Sequence, residues 1–254
     1  MLLALDVGNT NITVGVFRRK EIIESFRITT KIPRTSDEFG MIISDLLQAK
    51  GKDCKEVKAA IICSVVPNIM HSLVNGIVKY FNITPIIVGP GVKTGINLSR
   101  MNPGEVGADK IVNLVAGYEL FGGPALVIDY GTATTYDVVT EDGTFLAGVI
   151  VPGIRTSANA LVQGAARLPE IEIVKPETIL ATRTVSCMQA GLFYSVVGEN
   201  KHIIEQMKKQ TGYDNLKVIA TGGLGKMIAK EVDEIDYYDG MLTLKGLELI
   251  YEKQ

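Results

Sequence analysis

Two short stretches place a carboxylate, a glycine and a group of hydroxyl side chains in the same order. "LLALDVGNTNITVGVF" at 2–17 and "ALVIDYGTATTYDVV" at 125–139 each run from apolar residues into Asp, then x-Gly, then hydroxyl and amide residues, then a second β-rich run. A carboxylate at a strand end supplies a hard oxygen ligand for a hydrated divalent cation such as Mg²⁺. The glycine lets the backbone approach phosphate oxygens, and the turn N–H groups, with Asn9, Thr10, Asn11 and Thr13, donate hydrogen bonds to them. One such turn is an ordinary feature of a hairpin. Two, at Asp6-Val7-Gly8 and Asp129-Tyr130-Gly131, suggest facing halves whose carboxylates point into one cleft. That arrangement suits phosphoryl transfer, where positioning and charge neutralisation supply most of the catalysis.

Two further segments carry chemistry. "ATGGLG" at 220–225 follows an apolar run, and the bare backbone of Gly222 and Gly223 would let a flat adenine ring lie against it. Alone, it reads equally well as a helix-entry turn. In "MNPGEVGADKIVNL" at 101–114, Asn102-Pro103-Gly104 is a turn, Gly107 opens a helix and Asp109 sits in its first turn. Asp109 can complement the helix dipole, or take a proton from a substrate hydroxyl at the mouth of an interdomain cleft.

Rival signatures are missing. There is no G-x-x-x-x-G-K-[ST], and in "GPGVKTG" at 89–95 the last glycine falls one residue late for a dinucleotide turn. His71 and His202 are the only histidines, too few for a histidine-based zinc site or a Ser-His-Asp triad. The 26 basic and 28 acidic residues leave no electrostatic footprint for nucleic acid or an anionic membrane. Three cysteines without C-x-x-C spacing suit a reducing cytoplasm, and no apolar stretch approaches the ~18 residues of a membrane span. The apolar start meets Asp6 after five residues with no basic segment before it, so no signal peptide is expected.

The elements that must position these residues follow from periodicity. Strands are predicted at 2–5, 12–17 and 22–28 as an antiparallel meander. A capping box, Thr35-Ser36-Asp37-Glu38, opens a helix to about residue 48. A buried strand at 57–66, a helix at 68–81 and a strand at 86–88 complete a β-β-β-α-β-α-β half. After a Gly/Pro-rich loop at 89–107 comes a helix at about 108–121, and then the meander restarts at 125–129, 134–139 and 145–150. Helices at 157–166 and 185–209, a strand at 218–220 and a helix at 244–251 close the chain. With 254 residues, two domains are expected, 1–115 and 116–254, with no linker marking the boundary.

With these residues in hand, the chain resembles type III pantothenate kinases, of the acetate and sugar kinase/Hsp70/actin superfamily. The similarity runs nearly end to end and is carried by "DVGNTN" at 6–11, "GVKTG" at 91–95, "NPGEVGADK" at 102–110, "DYGTATT" at 129–135, "VPG" at 151–153 and "TGG" at 221–223. It implies an α/β fold of duplicated ribonuclease H-like domains, each a mixed sheet opened by an antiparallel three-strand meander and flanked by helices. It implies ATP-dependent phosphorylation of pantothenate, the first step of coenzyme A biosynthesis, by a cytoplasmic homodimer. Mg²⁺ or another divalent cation and K⁺ or NH₄⁺ are the implied ions.

By position, the resemblance makes Asp6, Val7, Gly8, Asn9, Thr10, Asn11, Ile12 and Thr13 a phosphate-binding segment that also serves the metal. It makes Asp109 the proton acceptor, Gly107, Ala108, Asp109 and Lys110 a substrate-contacting stretch, Asp129 a monovalent-cation ligand and Thr132 an ATP contact. Thr184 becomes a further substrate contact. Two positions depart from the family pattern: Arg100 stands where a Tyr is usual, and Lys110 where G-A-D is usually followed by Arg. Arg100 offers no aromatic hydroxyl, and Lys110 lacks the planar fork of Arg, so a kinase of another small hydroxylated metabolite is an open alternative. So is a non-catalytic regulatory relative, although such a protein has no need of a base at Asp109.

Overall fold

The computed structural model describes residues 1–100 and 106–254, so the expected turn at Asn102-Pro103-Gly104 lies outside the described residues. Two five-stranded mixed sheets organise the chain, in the orders β3-β2-β1-β4-β5 and β10-β9-β6-β7-β8. The first uses β1 (Leu2–Val7), β2 (Asn11–Arg18), β3 (Glu21–Thr29), β4 (Ala59–Ser64) and β5 (Ile86–Ile87). The second uses β6 (Ala125–Tyr130), β7 (Ala133–Val139), β8 (Phe145–Pro152), β9 (Lys217–Thr221) and β10 (Tyr237–Tyr238). In each, the first three strands form an antiparallel meander and the last two join in parallel beside the first. The two orders are one topology written twice. The repeat foretells the duplication, and the ribonuclease H-like architecture is the one the family resemblance implies.

In the first unit, apolar residues alternating along β1 and β2 turn one face of the sheet onto α1 (Ser36–Ala49) and α2 (Pro67–Phe81). Leu3, Leu5, Val7, Val14, Ile43 and Leu73 are all fully buried there. The capping box starts α1 as expected: Thr35 N–H donates to Glu38 Oε2 at 2.7 Å, and Glu38 N–H donates to Thr35 Oγ1 at 3.3 Å. Proline at its first position opens α2, and Asn82 ends it at φ 56°, a left-handed conformation that Asn tolerates.

In the second unit, α4 (Ile154–Gly164), α5 (Thr184–Thr211) and the short α6 (Gly225–Ala229) supply the helical cover. Phe193, Val196 and Ile204 of α5 and Ile228 of α6 join Ile128, Tyr136 and Val218 of the sheet in one core.

The compact units are Met1–Ala116 with Leu242–Gln254, and Gly117–Met241. The boundary near residue 115 expected from the repeat falls inside α3 (Ala108–Phe121). The last helix, α7 (Leu242–Tyr251), expected with the second half, packs in the first. A Cβ at Gly15 of β2 would stand 2.9 Å from Leu244 Cδ1, and one at Gly246 would stand 2.3 Å from the Val112 carbonyl of α3. Thr243 Oγ1 donates to Asn113 Oδ1 at 2.8 Å. Strand β10 and helix α6 are too short to leave a periodic trace in the sequence.

Candidate active site

Asp6 and Asp129 occupy the same place in their sheets. Each is the second-to-last residue of a six-residue strand, and both strands show one burial sequence: four buried residues, a half-buried Asp, then a buried residue. In register, Asp6 faces Thr13 and Cys63, and Asp129 faces Thr135 and Thr221. Each Asp is half-buried one residue before its strand ends, at the carboxyl end shared with the parallel strands β4 and β9. Ligand crevices of open α/β sheets form outside that edge.

The turn after Asp6 is held at both ends. Gly8 N–H donates to Asn11 O at 3.0 Å, and Thr30 Oγ1 donates to Gly8 O at 2.7 Å. Thr30 N–H also donates to Thr10 O at 3.0 Å, tying the turn to the end of β3. Asn9, Thr10 and Asn11 remain exposed, with Val7 and Ile12 buried beneath them. This is a backbone loop tied at both ends, with exposed amide and hydroxyl side chains on its outer face.

The second turn is fixed from α4 instead. Gly131 N–H donates to Ala133 O at 3.1 Å. The carbonyl of Thr132 accepts from Gly153 N–H at 3.1 Å and from Thr156 Oγ1 at 2.6 Å. A Cβ on Gly153 would lie 2.3 Å from Gly131 O, so the "VPG" glycine is required by the close approach of these backbones. Thr132 itself is exposed at the tip.

The TGG segment joins the same site. Gly222, at φ +92°, presses its Cα against the end of β6, where a Cβ would meet Tyr130 O at 2.6 Å and Asp129 Oδ1 at 2.8 Å. Asp129, Thr132, Gly153 and Gly222 are thus gathered at one edge of the second sheet. Gly223 is exposed and lines a cavity of about 500 Å³ with Leu224, Met227, Lys175, Lys226, Lys230 and Glu231. No motif marks those lysines in the sequence; they meet only because α6 folds back beside Lys175, whose ammonium pairs with Glu231 at 2.6 Å.

Asp109 lies at the head of α3 in the first unit. Its Oδ1 accepts from Lys110 N–H at 2.8 Å and would stand 2.4 Å from a Cβ at Gly107, so the carboxylate folds back over that glycine. Gly107 in turn faces Val65, whose N–H donates to Val7 O at 3.1 Å. The start of α3 therefore sits at the edge of the first sheet that carries the Asp6 turn. Gly107, Ala108 and Lys110 are half-buried around it, and Arg100 is exposed. Thr184 opens α5, apart from the TGG cluster's contacts, and lines a second cavity of about 530 Å³ with Leu161, Leu168, Cys187 and Met188.

Each acidic turn, taken by itself, suits a hydrated divalent ion rather than a caged one. Asp6 and Asp129 are half-buried oxygen donors beside backbone cradles, and among the described residues no group of three or more His, Cys, Asp or Glu could hold a metal. Mg²⁺ characteristically takes one or two carboxylates together with substrate phosphates and water. Among the described residues no helix is long and apolar enough to cross a membrane.

Paired acidic turns on duplicated ribonuclease H-like sheets define the class: a chain of the acetate and sugar kinase/Hsp70/actin fold. Solved structures agree. A Campylobacter jejuni protein described as a Baf family transcriptional activator superposes with TM-score 0.58 at 18% identity, covering 99% of this chain and 98% of its own. An activator of 2-hydroxyisocaproyl-CoA dehydratase from Clostridium difficile, with bound ADPNP, gives 0.52 at 13% identity, over 100% and 96%. At these identities the likeness speaks for the fold alone. The type III pantothenate kinase profile matches residues 2–206, and a type III pantothenate kinase of Agathobacter rectalis is 59% identical over 100% of this chain and 98% of its own. The chain belongs to the type III pantothenate kinase family, and it is a kinase.

Proposed function

We propose that this kinase phosphorylates pantothenate from ATP, forming 4'-phosphopantothenate and opening coenzyme A biosynthesis, with Asp6, Asp109 and Asp129 as its working carboxylates. The pantothenate hydroxyl oxygen attacks the γ-phosphorus of ATP, its proton passes to the Asp109 carboxylate, and the bond from γ-phosphorus to the bridging oxygen breaks to release ADP. The observation that carries this reading is the repeat: Asp6 and Asp129 stand at one position of equivalent strands, each followed by x-Gly and exposed hydroxyl side chains. The Asp6–Thr13 turn serves the phosphates, Thr132 and the Gly222-Gly223 backbone serve the nucleotide, and Asp129 serves K⁺ or NH₄⁺. A divalent ion held with ATP neutralises charge on the phosphates. Lys110 and Arg100 supply positive charge for the pantothenate carboxylate, with Gly107, Ala108 and Thr184 as further contacts.

The protein acts as a cytoplasmic homodimer. Ile150 on the edge strand β8 is 64% exposed, and Ile179 and Leu180 of the same unit are 60% and 83% exposed, apolar side chains of the kind that a second copy would cover. A coupled ADP-release assay with pantothenate, with and without K⁺, tests the reading. Pantothenate-dependent ADP release that rises with K⁺ is expected. Release no faster with pantothenate than without it would overturn the assignment and leave another hydroxylated acceptor, or a regulatory protein.

A further inference from the structure

The loop after β9 is clamped at one glycine and open at the next. Gly222 takes φ +92°, a region where a side chain is strained, and its Cβ position is closed by Tyr130 N at 2.7 Å, Tyr130 O at 2.6 Å and Asp129 Oδ1 at 2.8 Å. Three residues on, the Cβ position of Gly225 lies between two tyrosine rings, 2.7 Å from Tyr130 Cδ2 and 3.0 Å from Tyr238 Cε2. Gly223 has nothing within 4 Å of its Cβ position and borders the cavity.

Both tyrosines are anchored. The buried Tyr130 hydroxyl donates to Asn200 Oδ1 at 2.5 Å, and Asn200 Nδ2 donates to Val196 O at 2.7 Å, which fixes the ring to α5. Tyr238 is paired with Ala220 in the sheet, and the next residue, Asp239, donates its N–H to Ala220 O at 2.9 Å. From that fixed place the Tyr238 hydroxyl donates to Gly222 O at 3.0 Å.

The Gly222 carbonyl and the Gly223 N–H belong to one planar trans peptide, so holding the oxygen on one side directs the N–H to the other. Between two glycines such a peptide has little steric resistance to turning over, because neither neighbour has a Cβ. The Gly222 carbonyl accepts from Gly225 N–H at 3.2 Å within the turn and from the Tyr238 hydroxyl, and the two bonds together select one orientation.

We propose that Tyr238 is a positioning residue for the nucleotide: its hydroxyl orients the Gly222-Gly223 peptide beside Asp129 and so sets the affinity for ATP. The inference rests on the reading of the glycine loop as a nucleotide contact. Tyr238→Phe keeps the ring that packs on Gly225 and removes only the hydroxyl. In steady-state kinetics of the full-length protein, KM for ATP rises about two- to tenfold, the equivalent of one lost hydrogen bond. The kcat at saturating ATP and KM for pantothenate stay within about twofold, because uniform binding has been removed and transition-state contacts have not. A hydroxyl of structural value alone would lower the melting temperature and leave KM for ATP in place, which would overturn the proposal.

Gly223→Val separates this failure from failure of the underlying reading. Its side chain enters open space, so the fold tolerates it while the exposed backbone is covered. A raised KM for ATP in Gly223→Val with none in Tyr238→Phe rejects Tyr238 alone. An unchanged KM in Gly223→Val rejects the loop as a nucleotide contact and the role of Tyr238 with it.

Discussion

Replacing Asp109 by Asn separates the two things its carboxylate can do. The change is nearly isosteric, and the Asn Oδ1 can still accept the Lys110 N–H now bonded at 2.8 Å to Asp109 Oδ1. The turn over Gly107 is therefore retained, and what is lost is one negative charge in the first turn of α3. Such a charge contributes ~0.3–1 kcal/mol to a helix N-terminus, which in a chain of this size lowers the melting temperature by less than about 4 °C. Loss of a general base costs far more, at least ~10²-fold in kcat, or about 2.7 kcal/mol of transition-state stabilisation. Because the turn over Gly107 is retained and the role tested for Asp109 is toward the acceptor hydroxyl, KM for ATP is expected to change little. The assay is coupled ADP release with each substrate varied in turn, alongside a thermal melt. Near wild-type kcat in Asp109→Asn, with a small drop in melting temperature, would reduce Asp109 to a helix-dipole residue and refute its role as base.

Asp6→Ala should abolish Mg·ATP-dependent turnover with the fold intact, since Asp6 is a half-buried strand-end residue outside the apolar core. Asp129→Ala should change the K⁺ concentration that half-activates the enzyme. Normal metal and cation responses in both would make the repeat structural. Arg100→Ala should raise KM for pantothenate by about one to two decades, the equivalent of a charge-assisted contact of ~1.5–3 kcal/mol, and leave KM for ATP alone. An unchanged pantothenate KM removes Arg100 from the site. Glu199 of α5 is pushed above the ordinary glutamate value of 4.5 by burial, against a lowering bond from the Tyr136 hydroxyl. The folded state then binds this proton more tightly than the unfolded chain, so stability falls as pH rises through that raised value. Glu199→Gln should melt higher than the parent at pH about 7, with the gap closing towards pH about 4; a pH-independent gap refutes the burial argument.

The sequence by itself determined the repeat and most of the elements. Strand period around Asp6 and Asp129 and the capping box at Thr35–Glu38 are local signals, written within a few residues and obeyed in the structure. The likeness of the two acidic turns was legible because both strands bury the same four positions before the Asp. Only tertiary structure decided what those turns lean on. Thr30 secures the first from 22 residues away, its hydroxyl donating to Gly8 O, and Gly153 secures the second from 21 residues away, its N–H donating to Thr132 O. The destination of α7 was not legible either: its apolar stripe of Leu244, Leu247 and Ile250 fits either sheet, and Gly15 and Gly246 choose the first by admitting close approach. Tyr130, Asn200 and Tyr238 meet around Gly222 and Gly225 from distant parts of the chain. Local sequence sets the period and the turn. Steric fit and hydrogen-bond satisfaction between remote segments set the site, and neither leaves a pattern in the residues that precede or follow.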